Sequence, residues 1–119
     1  MKVLISRLCK YFLFIVAIVG FAGPASATSG ENSGKILVVN VYNTSGSRDF
    51  QITLGNLSGG FWTTLALCPG QTFAYTNVTD SNYDTIIKNI HAAITFKSTA
   101  YVYWTVDASG YCHITEVYY

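Results

Sequence analysis

Charge is scarce in this chain: only 11% of its 119 residues are charged, 7 basic and 6 acidic. Three of the basic residues, Lys2, Arg7 and Lys10, crowd together at the N-terminus. Beyond them stand Lys35, Arg48, Lys88 and Lys97 against Glu31, Asp49, Asp80, Asp84, Asp107 and Glu116, a balance of −2. No basic stripe exists to neutralise phosphates, so nucleic acid is excluded as a partner. Catalytic signatures are missing as well. There is no GxSxG elbow, no HExxH and no glycine loop ending in lysine. His91 and His113 are the only histidines, and Ser, His and Asp scattered along a chain do not make a triad. Asp107 and Glu116 read most simply as a turn acid and a solvated strand acid. No catalytic residue, metal ligand or cofactor is expected, and the chain is not expected to be an enzyme.

Long hydrophobic runs are also rare, and the one present has a specific reading. Tyr11 to Ala22 is an apolar core behind the basic cluster, and Pro24-Ala25-Ser26-Ala27 ends in a small-x-small pattern. Together they form a secretory signal peptide over residues 1–27, cleaved near Ala27, with a core too short to span a bilayer. Nothing later approaches a spanning helix. The 92 residues left, Thr28 to Tyr119, are expected as one small secreted or periplasmic domain with one core.

Of the 3 cysteines, Cys9 leaves with the leader. Cys68 and Cys112 remain, without a CxxC spacing that would point to redox or metal chemistry. In a small exported chain they are expected to pair as a structural disulfide.

Thr28 to Gly34 is polar and glycine-rich and reads as a flexible leader to a domain at 35–119. Lys35 to Asn43 reads as a strand. Both of its faces are largely apolar, and Ile36, Val38 and Tyr42 on the second face call for a cover, a helix or a neighbouring subunit. In Arg48 to Leu54 the alternation puts Phe50, Ile52 and Leu54 inward and Asp49, Gln51 and Thr53 outward. Phe61 to Leu67 and Gln71 to Asn77 are a third and a fourth strand around the Cys68-Pro69-Gly70 turn. The period then changes. Ser81-x-x-Asp84 reads as a capping box, and Tyr83, Ile86, Ile87, Ile90 and Ile94 recur at helical spacing. Ala100 to Val106 and Tyr111 to Tyr118 are a terminal hairpin about Asp107-Ala108-Ser109-Gly110. Val102, Trp104 and Val106 share one face of it, and Cys112, Ile114, Glu116 and Tyr118 share one register. The fold class is mainly β with one helix, in the order ββββ-α-ββ.

That order, tied by one disulfide, looks like a small OB-fold barrel. The stretch from Asn82 to Val117 resembles the B subunits of bacterial toxins of the pertussis-toxin and subtilase-cytotoxin type. Tyr83-x-x-Ile86-Ile87, Ala92-Ala93, Tyr101-Val102-Tyr103-Trp104 and Cys112-x-Ile114-x-x-Val117 carry the resemblance, and Cys68 falls where that pattern has an earlier cysteine. It covers about a third of the chain closely. The family turns with glycine between helix and strand, whereas this chain has Lys97-Ser98-Thr99. The resemblance implies secretion, a homo-oligomeric ring, an enzymatic A subunit as partner and recognition of host-cell glycans.

The candidate glycan-binding residues are Trp62, Tyr101 and Tyr103, aromatics that share strand faces with threonine. Sugars bind by stacking CH groups on aromatic faces and hydrogen-bonding to polar neighbours, and the OB fold is a platform for oligosaccharides. The candidate oligomer interface is Ile36, Val38 and Tyr42. Two rival readings are a structural or adhesive β-sandwich subunit of pilin type and a small secreted inhibitor.

Overall fold

The computed structural model describes residues 29–42 and 45–119; the signal peptide read over residues 1–27 lies outside them. The elements are β1 (Ser29–Val41), β2 (Phe50–Ser58), β3 (Phe61–Thr64), β4 (Ala74–Thr76), α1 (Tyr83–Thr95), β5 (Ala100–Val106) and β6 (Cys112–Tyr118). This is the expected order of four strands, a helix and a hairpin. β1, β2, β4, β6 and β5 close on one another into a five-stranded barrel, and β3 is an extra strand on β2. All pairings are antiparallel except β4 with β6. The result is an OB-like barrel rather than the two-sheet sandwich that the pilin-type rival requires.

The barrel interior follows the alternation of its strands. Phe50, Ile52 and Leu54 from β2 meet Val102 and Trp104 from β5, with Ile114 and Val117 from β6. α1 lays Ile86, Ile90 and Ala93 onto this core, with Tyr83 and Ile87 partly buried beside them. Burying each large aliphatic side chain contributes about 1.5–3 kcal/mol. Two asparagines fix the helix against β6: Asn82 Nδ2 donates to the Thr115 carbonyl and Asn89 Nδ2 to that of Val117, both at 2.7 Å. The capping box does not form. Asn82, not Ser81, occupies the N-cap, and no side chain caps the helix.

Cys68 and Cys112 are bonded, with their Cα atoms 5.6 Å apart. The bond lies beside the seam with the fewest register pairs, where β4 and β6 pair over only Ala74↔Cys112 and Tyr75↔His113.

The leader expectation for residues 28–34 is corrected over the described part: Ser29–Gly34 is the first half of β1, paired with β5 from Thr105 to Ala100. Glycine and polar residues read as loop, yet here the glycines make room for the partner strand. A Cβ on Gly30 would stand 2.5 Å from Trp104 Cζ2. A Cβ on Gly34 would stand 2.6 Å from the Gly55 carbonyl oxygen. Asn32 Oδ1 accepts the Trp104 indole N–H at 2.7 Å, so the buried tryptophan of β5 has its polar partner on β1, the strand of Gly30. An aromatic covering a strand glycine supplies the packing that glycine lacks.

Two further strand readings shift. β6 carries an irregularity opposite Tyr103/Trp104, so its phase flips: Ile114 is buried, Glu116 is exposed and Val117 is buried. Asp49, expected to face outward, is 1% exposed. It folds into the β1–β2 turn, where its carboxylate collects backbone N–H groups (see below).

Candidate functional site

The sites that hold exposed aromatic or titratable groups are all on the outer wall of the barrel. The first is the outer face of β1, β5 and β6, built by register alone. Glu31, Tyr103 and Glu116 form one cross-strand row, and Ser33, Tyr101 and Tyr118 form the next. Val102 and Trp104 alternate with these residues and point into the core, which obliges Tyr101 and Tyr103 to face out. Tyr101 is 44% and Tyr118 49% exposed. Tyr103 meets Tyr118 edge-on at 5.8 Å between ring centroids. Tyr118 Oη donates to Glu116 Oε1, and Glu31 stands beside Tyr103 as its cross-strand register partner. The acceptor carboxylates, Glu31 beside Tyr103 and Glu116 beside Tyr118, followed by partial desolvation, push both tyrosine pKa values above the ordinary value, so the hydroxyls stay protonated in neutral solution. The face thus presents three rings and two carboxylates, with apolar planes beside strong hydrogen-bond acceptors.

Trp62, the third candidate, is elsewhere. It is carried on β3 and half exposed, and it lines a depression with Ile36, Leu37, Ile94, Lys35 and Lys97 where the helix ends. The three residues named from sequence therefore divide into a pair on one face and a lone tryptophan in a separate depression.

The candidate interface residues also divide. Ile36 packs partly on the core, beside Ala93 and Ile94 of the helix. Val38 is 46% and Tyr42 54% exposed, and the helix leaves both bare.

A third region was not singled out from sequence. His113 and Tyr75 are register partners on β6 and β4, their rings stacked in parallel with centroids 4.8 Å apart. Cys112 points inward beside them, so His113 faces out, as alternation on a strand requires. His113 Nε2 lies 2.7 Å from Asp80 Oδ2, and Tyr75 Oη donates to Asp107 Oδ2 at 2.7 Å. The Arg48 guanidinium sits 4.4 Å above the Tyr111 ring, which in turn packs against Phe73.

Desolvation works to raise the Asp80 pKa, but hydrogen bonds from His113, the Asn77 N–H and Thr76 Oγ1 hold it below the usual carboxylate value. Asp107 behaves alike: desolvation is outweighed by Tyr75 and the N–H groups of Tyr111 and Ser109. Tyr75 is driven far above the ordinary phenol range, chiefly by desolvation and by its bond to Asp107. It stays a neutral donor. Asp49 belongs to the same loop system. It accepts from the N–H groups of Ser45, Gly46, Ser47 and Val78 at 2.9–3.1 Å. Desolvation raises its pKa, but those four donors together lower it below the usual value.

Each acid here is the local acceptor of a turn, and that accounts for its position. Asp80 closes Thr76–Asn77 and Asp107 closes the β5–β6 turn. The signal in the sequence is an aspartate beside a run of Ser, Thr, Asn or Gly, which marks a turn and carries no information about its long-range partner. Among the described residues no three His, Cys, Asp or Glu side chains converge as metal ligands. No helix of those residues is long and apolar enough to cross a membrane. No protein-family model, curated protein or solved structure matches the chain.

Proposed function

We propose that the chain is an exported binding protein of the toxin B-subunit kind, which recognises host-cell glycans on the outer face of β5 and β6. The observation that supports this is the pair of cross-strand rows, Glu31–Tyr103–Glu116 and Ser33–Tyr101–Tyr118, exposed on a rigid barrel wall. A pyranose ring presents a patch of CH groups and a rim of hydroxyls. Tyr101 and Tyr103 supply the plane for the former. Glu31 and Glu116 accept from the latter through charge-assisted hydrogen bonds. Because the rings project from paired strands and Tyr118 is already held by Glu116, little side-chain freedom is lost on binding.

In this reading the leader is removed near Ala27 and the mature chain assembles as a homo-oligomeric ring that carries an enzymatic subunit. Val38 on β1 and Tyr42 just beyond its end, exposed in a stretch without charge from Ile36 to Tyr42, supply the apolar patch for a neighbour. A glycan array probed with the mature chain and with Tyr101→Ala/Tyr103→Ala tests the recognition, and light scattering tests the ring. Glycan spots lost in the double variant support the reading. An array blank for the mature chain, with a monomeric mass, overturns it.

A further inference from the structure

We propose that the depression at the C-terminal end of α1 binds an amphipathic monoanion of the fatty-acid class, a ligand distinct from the glycan and a site distinct from the tyrosine face. Ile36 and Leu37 of β1, Trp62 of β3 and Ile94 of α1 make its apolar walls, and Lys35 and Lys97 also line it. Its volume is about 280 Å³, near the small end of ligand clefts at about 300 Å³. That space and its apolar walls suit a single short acyl chain.

Charge selects the head group. Beyond the leader the chain has only four basic residues, and two of them meet here. No carboxylate lines the depression, and the one ion pair among the described residues is His113–Asp80, so neither lysine is neutralised. An anion beside a helix C-terminus faces the negative end of the helix dipole. Lys35 offsets this by donating its Nζ to the Lys97 carbonyl, which leaves the Lys97 ammonium for the ligand.

The backbone at Lys97 makes this residue a discriminating position for a test. Its φ is +52°, in the left-handed region, at the residue that follows the helix cap. Lys97 N–H donates to the Ile94 carbonyl and Ser98 N–H to that of Ala93, which closes the helix end. Glycine is the residue this position favours. Glycine in its place would relieve that conformation while removing the ammonium group.

The test uses the mature chain and decanoate, with decanol as the neutral control, both below micelle formation. Trp104 is buried and Trp62 is half exposed, so a ligand-dependent emission change reports Trp62. A saturable blue shift with decanoate is expected. It should be roughly tenfold or more weaker with decanol, the loss of one charge-assisted contact. In Lys97→Gly decanoate binding should fall by a similar factor while the melting temperature holds or rises, because glycine relieves the left-handed backbone. A merely structural Lys97 would not separate binding from stability in this way. Tyr101→Ala/Tyr103→Ala should bind decanoate as the parent does, so failure of the glycan reading leaves this one standing. Equal affinity for decanol, undiminished binding in Lys97→Gly, or no saturable change overturns the proposal. So does an emission shift that follows protein concentration without ligand, which would make a second copy the occupant.

Discussion

Replacing both Cys68 and Cys112 with alanine removes the one covalent tie across the β4–β6 seam. The bond joins residues separated by 44 positions. Closing a loop of that length in the unfolded chain is worth roughly 4 kcal/mol in the chain-entropy treatment. Non-covalent contacts replace little of it. β4 is three residues long and shares only two register pairs with β6, so the remaining hold on that seam is short. Both sulfurs are buried, and the Cys68 N–H lies 3.0 Å from Cys112 Sγ, so truncation also strips local packing. A small domain has about 5–15 kcal/mol in hand, so the double variant should stay folded at room temperature with much of its margin gone. Urea unfolding followed by far-ultraviolet circular dichroism measures this. The midpoint should drop steeply, and the slope should rise because the uncrosslinked chain exposes more surface when unfolded. A loss below about 1 kcal/mol would refute the loop-closure argument. It would mean that the seam is held by the strands themselves.

Gly30→Ala places a methyl 2.5 Å from Trp104 Cζ2. It should cost about 1–3 kcal/mol and alter the near-ultraviolet dichroism of the indole; an unchanged spectrum and midpoint would show that β1 is not packed under Trp104. Asn89→Ala leaves the Val117 carbonyl without its helix donor. A loss of about 1 kcal/mol is expected, read from denaturant midpoints, and no loss would mean water replaces the asparagine. Asp49, Asp80 and Asp107 all have pKa values lowered by the fold. Their contribution is complete above the unfolded carboxylate value of about 4 and is lost as pH falls through the lower folded values. Thermal midpoints should therefore be level from neutral pH to about 5 and fall below about 4; a level midpoint down to pH 3 would count against all three networks.

Where the core face alternates without interruption, the fold could be read directly. Phe50, Ile52 and Leu54, then Val102 and Trp104, show the period of a half-buried strand, and Ile86 and Ile90 the period of a helix. The disulfide followed from the cysteine count and the expectation of export. The first half of β1 was hidden because its glycines serve a partner far away in sequence, and only the placement of Trp104 reveals their purpose. β6 was read in one phase because a local irregularity leaves no mark in residue types. Asp49 looked like a solvated strand acid because its four N–H donors come from a turn and from Val78, which are brought to it only by folding.

The candidate site was legible in part for the same reason. Alternation alone turns Tyr101 and Tyr103 outward. Their meeting with Tyr118, Glu31 and Glu116 depends on cross-strand register, which pattern does not supply. Trp62 shared their chemistry in sequence, yet β3 pairs with β2 and carries it to the helix end.

The most direct measurement is calorimetric titration of the mature chain with a glycan, comparing the parent, Tyr103→Ala and Trp62→Ala. If sugars dock on the tyrosine rows, Tyr103→Ala should weaken binding by roughly tenfold or more, while Trp62→Ala, in a separate depression, should leave it unchanged. Equal affinity in parent and Tyr103→Ala, or a loss confined to Trp62→Ala, would contradict the assignment of glycan recognition to the outer face of β5 and β6.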